Sequence, residues 1–245
     1  MTTFNSEAEF LAAYNIHDYP VPLASVDVCI FTLHQQTLKV LLVKRKDYPH
    51  KDRWALAGGF IDIQQDTHLE NTALRTLSKK TGVATPYLEQ LATIGNGQRD
   101  PRGWSMTAVY FALIPYVELL QTGTELSQWC EVNLALNLDL AFDHRQLLSL
   151  ALERVRAKVL YTLIPAHLIS SPFTLTELQR AYEIIMGHEI EKKSFRRRLE
   201  REQVLNETGQ IKQEGAGRPA ALYTLKPECA VFNFKRQLEQ LPTTN

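Results

Sequence analysis

Gly58-Gly59-Phe60, followed by Leu69-Glu70-Asn71-Thr72-Ala73-Leu74-Arg75-Thr76-Leu77-Ser78-Lys79-Lys80-Thr81-Gly82-Val83, is the stretch from which the fold of this chain is read. Thr67 and Glu70 have the spacing of a capping box. Leu69, Ala73 and Leu77 recur at four-residue steps as one apolar face, and Gly82 sits where a helix stops. The spacing predicts a helix over 68–81. Trp54 to Ala57, just before the glycines, reads as a strand.

The same run resembles the Nudix box, in which the arginine is followed directly by a glutamate and, three and four residues on, by a glutamate pair. Here those places hold Thr76, Lys79 and Lys80. A Nudix hydrolase cleaves a pyrophosphate with Mg²⁺, a hard cation that takes oxygen ligands in near-octahedral geometry. Carboxylates three and four apart on one helix face converge on such an ion. Lysine has no acceptor and carries the ion's own sign, so the box keeps its frame without its metal ligands. We therefore expect no catalytic residues and no metal site, with the pocket kept as a sensor. Gly59 to Arg75 is two residues longer than the usual box, and Asp62, Asp66 and Glu70 remain nearby as carboxylates.

Working outward, Ser6 to Tyr14 reads as a short capped helix. Ala24 to Leu33 and Leu38 to Arg45 read as strands joined by a hairpin at His34 to Thr37, and further strands lie around Leu91 to Gly95 and Ser105 to Ile114. This mixture suits an α/β/α sandwich. Between the last two strands, Gly95 to Trp104 is too rich in Gly and Pro to be regular. It brings Arg99, Arg102 and Trp104 into one loop, a combination suited to bidentate phosphate contacts and to stacking on a base or sugar.

The chain has 245 residues, of which 44% are apolar, enough for one large or two modest domains. Its three cysteines, Cys29, Cys130 and Cys229, lie far apart and lack paired ligand spacing, which argues for a reducing compartment and against zinc. No apolar run approaches the ~20 residues that cross a bilayer, so a cytoplasmic, nucleoid-associated protein with no membrane contact is expected. The formal net charge of zero divides into −4 over residues 1–142 and +4 over residues 143–245. Such asymmetry points to a basic module that meets a polyanion. We accordingly divide the chain into an effector-sensing domain over 1–142 and a DNA-binding domain over 143–245.

In the second half, residues 143–158 read as a helix, followed by an apolar run broken at Pro165. Thr174 and Glu177 have capping-box spacing and open a helix to about Met186, with Leu175, Leu178, Tyr182 and Ile185 inward and Gly187 ending it. A second helix runs from about Lys192 to Gln203. Val204 to Thr208 and Ala220 to Leu225 read as strands. Helix, turn, helix, hairpin is the order of a winged helix-turn-helix. Residues 192–201 hold six cations and one acid. Phe195 and Leu199 can pack inward while Lys192, Lys193, Ser194, Arg196, Arg197, Arg198 and Arg201 are the candidate DNA contacts. Lys212 and Arg218 would form a basic wing on a neighbouring phosphate or minor groove.

With both halves read, the chain resembles the Nudix-related transcriptional regulators of bacterial NAD metabolism. The resemblance is carried by Trp54 to Phe60, Arg99-Asp100-Pro101-Arg102-Gly103, Phe173 to Gln179, Phe195-Arg196-Arg197 and Gly217-Arg218-Pro219-Ala220. It implies a homodimeric repressor of NAD synthesis or salvage genes that needs no cofactor, takes an ADP-ribose-like nucleotide as effector and binds a palindromic operator in double-stranded DNA. Candidate effector contacts are Arg45, Gly58, Gly59, Phe60, Arg75, Lys79, Lys80, Arg99, Arg102 and Trp104, although Arg75 also has the place of an arginine that orients its neighbours. Two alternatives stay open: an ADP-ribose pyrophosphatase with an accessory winged domain, and a Nudix-type regulator of sugar catabolism.

Overall fold

The computed structural model describes residues 4–84, 87–120, 126–213, 219–234 and 238. Helix α1 (Glu7–Ala13) is capped by Ser6, whose hydroxyl accepts from the Glu9 amide at 3.1 Å. Strand β1 (Leu23–His34) turns into β2 (Thr37–Lys44) through Gln35 and Gln36. Both have positive φ, 51° and 59°, as the two central residues of a tight hairpin turn require. Then follow β3 (Trp54–Phe60), α2 (Leu69–Thr81), β4 (Tyr87–Asn96), β5 (Ser105–Leu113), β6 (Ser127–Glu131), the short α3 (Val132–Ala135) and α4 (His144–Val159).

The six strands form one mixed sheet in the order β4-β5-β1-β3-β2-β6. Strand β1 runs parallel to β5, and pairs antiparallel with β3 at its start and β2 at its end. Side chains alternate across the sheet. Val26, Val28 and Ile30 face α2, where they meet Ala73 and Leu77. Cys29 and Phe31 face the opposite side and pack with Leu147, Leu148, Ala151 and Val155 of α4. The α/β/α sandwich expected from the sequence is formed, and its third layer is α4.

Helix α2 starts one residue later than its expected cap. The Asn71 side-chain carbonyl accepts from the His68 amide and the Thr67 hydroxyl, both at 2.9 Å, so Asn71 takes the place assigned to Glu70. Leu69 is correspondingly 39% exposed, whereas Ala73 and Leu77 are fully buried. Gly82, at φ 72°, ends the helix as expected.

After α4 a turn of 3₁₀ helix over Ile164–Leu168, containing Pro165, redirects the chain. The winged unit comprises β7 (Phe173–Thr174), α5 (Leu175–Met186), α6 (Lys192–Glu202), β8 (Leu205–Lys212) and β9 (Ala220–Leu225), its sheet ordered β7-β9-β8. Thr174 and Glu177 form the expected capping box at 3.1 and 2.7 Å. Leu178, Tyr182 and Ile185 of α5 are buried with Phe195 and Leu199 of α6. This core is continuous with the α4 face of the sandwich. The Tyr182 hydroxyl donates to the Thr162 carbonyl, and Arg180 donates to Gln36 in the β1–β2 turn at 2.8 Å. The division of charge near residue 143 therefore does not coincide with the division of packing, because α4 completes the sandwich.

Candidate functional site

Asp27 is the one carboxylate in the apolar run of β1, on the face that meets α4, and it is 6% exposed. Such burial is unfavourable for a charge unless partners surround it. Arg99, from the β4–β5 loop, approaches it at 3.5 Å and makes two 3.0 Å bonds to Asp143, the residue before α4. His144 opens α4. Its Nδ1 accepts from the Leu56 amide at 2.9 Å, which leaves the proton on Nε2, 3.6 Å from Asp27 Oδ1. Burial pushes the His144 pKa down against the opposing pull of Asp27 and Asp143, so the imidazole is neutral near pH 7. Gly58 is required on β3 because a Cβ there would lie 2.2 Å from Asp27 Oδ1.

Asp27, Gly58, Arg99 and His144 line an open cleft. Its walls include Arg45, Gly58, Gly59, Phe60, Arg99, Asp100, Arg102 and Phe142. Arg102 pairs with Asp100, holding that carboxyl below its ordinary range, and lies 5.1 Å over the half-exposed Phe60 ring. Arg45 lies 4.7 Å over Phe142 and donates to the Pro49 carbonyl at 2.8 Å. An exposed aromatic beside guanidinium groups can stack a base while the cations meet phosphates.

Six of the ten sequence-read effector contacts thus share one cleft: Arg45, Gly58, Gly59, Phe60, Arg99 and Arg102. The other four lie elsewhere. Arg75 is turned to Asp66, which it grips through Nε at 3.0 Å and through Nη2. That pair holds the Asp66 carboxyl well below the usual carboxylate range and braces the long β3–α2 loop. Trp104 packs its ring over Gly95 and stays 53% exposed outside the cleft lining. Lys79 is on the solvent face of α2. Lys80 and Thr76, four residues apart, line a second cavity with Arg45, Lys46 and Asp47.

Two of the three box positions that hold glutamates in Nudix hydrolases, Thr76 and Lys80, line that second cavity, and its residues do not fit a divalent cation. Thr76, Arg45, Lys46 and Lys80 stand around a single lining carboxylate, Asp47, whereas Mg²⁺ takes oxygen ligands, usually including one or two carboxylates. Asp66 is occupied by Arg75 and by the Thr72 hydroxyl. Among the described residues, no group of three or more His, Cys, Asp or Glu side chains is placed to hold a metal. Asp27, Phe142, Asp143 and His144 went unassigned in the sequence. A lone acid in an apolar strand was the available signal for Asp27, while the other three depend on how α4 returns to the sheet.

The second surface is α6. Glu191 caps it, accepting from the amides of Lys193 and Ser194. Lys192, Lys193, Ser194, Arg197 and Arg201 are exposed and Arg196 half-buried. Arg198 was read as a DNA contact, and the structure corrects this. Residues 195, 198 and 199 share one helical face, so Arg198 is buried with its guanidinium 3.8 Å from the Phe234 ring and Nη2 donating to the Leu160 carbonyl at 3.2 Å. Lys212 reaches Glu177 Oε1 at 2.6 Å, tying the wing strand to the cap of α5. Arg218 lies outside the described residues.

An arginine-bearing cleft of mixed charge in an α/β/α sandwich, joined by a core-forming helix to a winged helix with a basic face, defines a ligand-sensing DNA-binding class. A family model described as the NUDIX domain matches residues 22–151, and one described as the NrtR DNA-binding winged helix domain matches residues 165–225. The chain is 51% identical over 238 residues to the ADPR responsive transcriptional repressor NtrR of Acinetobacter baylyi, covering 96% of this chain and 95% of that one. It is 46% identical to Shewanella oneidensis NrtR, whose crystal structure superposes with a TM-score of 0.83 over 88% of this chain and 100% of that one. The same relative was solved with a 27mer DNA (TM-score 0.81, 88% and 99% covered), and its NUDIX domain with ADP ribose (TM-score 0.58, 61% and 99% covered). An ADP-ribose pyrophosphatase of Methanocaldococcus jannaschii is 29% identical over 131 residues, 54% of this chain and 73% of that one. The chain belongs to the NrtR family.

Proposed function

We propose that this protein is a transcriptional repressor whose sandwich domain binds ADP-ribose or a closely related NAD metabolite and whose winged domain binds a palindromic operator as a homodimer. The observation that carries this reading is the position of α4. His144 at its start lines the cleft, Asp143 just before it holds the cleft's Arg99, and its length forms a continuous core with α5. A ligand that competes with Asp143 for Arg99 can thereby alter the footing of the helix on which the DNA-binding unit rests.

Two recognition helices of a dimer would enter the major groove about 34 Å, or a multiple, apart. Arg197, Lys193, Arg201 and the half-buried Arg196 are the base and phosphate contacts of choice. The effector relieves repression only if it binds the DNA-incompetent arrangement more tightly, and a 99:1 reversal takes about 5.5 kcal/mol of difference. The genes controlled are those of NAD synthesis or salvage in this reading, with sugar catabolism as the alternative. Hydrolysis is not part of it, since the box positions offer Thr76, Lys79 and Lys80 in place of carboxylates. The test is a calorimetric titration with ADP-ribose, in chelator and in Mg²⁺, with the same samples assayed for AMP. Binding without AMP release is expected. AMP formation would establish the pyrophosphatase alternative, and no binding would remove ADP-ribose as effector.

A further inference from the structure

Of the six cations between residues 192 and 201, Arg198 alone is buried. Phe195 and Leu199 on the same face of α6 already supply the apolar contact with α5, so packing by itself does not call for a charge there. The partners of Arg198 lie outside the helix pair. Its Nη2 donates to the Leu160 carbonyl at 3.2 Å, and its guanidinium lies 3.8 Å over Phe234. Leu160 closes α4, where the last carbonyls carry the negative end of the helix dipole and favour a cation. That end of α4 is taken up carbonyl by carbonyl. Leu160 also accepts from the Leu238 amide, Tyr161 from the Phe234 amide, both at 2.7 Å, and Thr162 from the Tyr182 hydroxyl of α5. Three successive carbonyls are thus held by α5, α6 and the segment that follows β9. The last turns of α4 are fixed in their turn to the sandwich, where Glu89 of β4 accepts from Arg154 at 3.0 Å and from Lys158.

We infer that Arg198 is the positioning residue of the recognition helix: it fixes α6 to the end of α4, and through α4 to the sandwich, so that the two recognition helices of a dimer are held at the separation one operator requires. The inference rests on the reading that a homodimer binds a palindromic operator. Apolar contact between α5 and α6 is non-directional and does not by itself set the register of one helix on the other. A planar guanidinium held between a carbonyl and a ring does set it. Separation matters only when both half-sites are engaged at once, because a single helix on a single half-site carries no such constraint. Arg198 therefore makes no DNA contact of its own and governs how the two contacts combine.

The experiment is fluorescence anisotropy on the full chain, as wild type, Arg198→Met and Arg198→Lys, with two labelled duplexes. One is an operator selected from a randomised library, and the other is the same duplex with one half-site scrambled. Methionine keeps an apolar chain over Phe234 without the donor, and replacing a buried ion by an apolar group is often neutral in stability, which a melting curve checks. Arg198→Met should bind the full operator at least about tenfold more weakly than the wild type and the scrambled duplex within about twofold, since avidity is lost when geometry prevents simultaneous engagement. Arg198→Lys, which keeps a donor but not the planar fork, should fall between the two, and its own preferential loss on the full operator decides the matter if the methionine variant does not fold. A parallel loss on both duplexes, as a direct DNA contact or a general weakening of the fold would give, would overturn the positioning role. So would an Arg198→Met protein that keeps the wild-type preference for the full operator, and that result would leave the dimeric reading standing. A wild type that binds both duplexes alike would remove the dimeric reading and the positioning role together.

Discussion

At the scale of single residues, the decisive group is Arg99, which joins a strand, a loop and a helix by touching Asp27 and Asp143 from the β4–β5 loop. Arg99→Ala leaves the buried Asp27 without its guanidinium, and removing one partner of such a pair costs about 3–5 kcal/mol. The expected outcome is a marked fall in thermal stability and loss of ADP-ribose binding, both read in one ligand-dependent melting series. His144 gives a prediction in pH. Its folded pKa lies below the ordinary 6.5, so the unfolded chain takes up the proton first as pH falls. Its contribution is therefore complete above about pH 6.5 and lost below it. The melting temperature should drop between pH 7 and pH 5.5, and His144→Asn, whose carbonyl can still accept from Leu56, should flatten that drop; an equal drop in the variant would rule His144 out as the cause. Much of this network was beyond reach of the sequence. Arg99 and Arg102 were legible from a loop of unusual composition, but their partners come from segments 72 and 44 residues away in the chain for Arg99, through Asp27 and Asp143.

At the scale of elements, local chemistry fixes the ends of helices and tertiary pairing fixes the short strands. The Thr174–Glu177 box, the Ser6 cap and the stops at Gly82 and Gly187 were readable because each is a contact among neighbours in the chain. Thr174→Ala should cost about 1 kcal/mol, seen as a lowered midpoint in urea with unchanged slope. Strand β7, two residues long, exists only because β9 pairs with it, and β6 only because it closes the edge at β2, so neither carries a pattern of its own. Residue counting along α6 could have found Arg198 on the Phe195–Leu199 face, since 195, 198 and 199 obey helical spacing. Charge alone obscured it. For the exposed cations, Arg197→Ala should reduce the magnitude of the salt slope of operator binding by about one if it meets phosphate, or cost ~1–3 kcal/mol at one base pair if it reads a base. Wild-type affinity on every sequence would remove Arg197 from the interface.

At the scale of the whole molecule, the two domains share a core through α4, so neither is indifferent to the other. The charge division seen in the sequence, near residue 143, falls inside the stretch that the NUDIX model matches, and both the cleft, through His144, and the packing cross it. Arg180 on α5 and Gln36 in the β1–β2 turn add a second contact between the units, far from the cleft. Coupling of this kind is reciprocal: whatever factor the nucleotide imposes on DNA affinity, DNA imposes on the nucleotide. Release of the operator by the cleft's ligand is read by fluorescence anisotropy of a labelled duplex, selected from a randomised library, titrated with protein in EDTA with and without saturating ADP-ribose. At least about a tenfold rise in the apparent Kd for DNA is expected, within the usual range of coupling between sites, with no such rise in Arg99→Ala. Equal DNA affinity with and without ADP-ribose, under conditions where calorimetry shows the nucleotide bound, would contradict it.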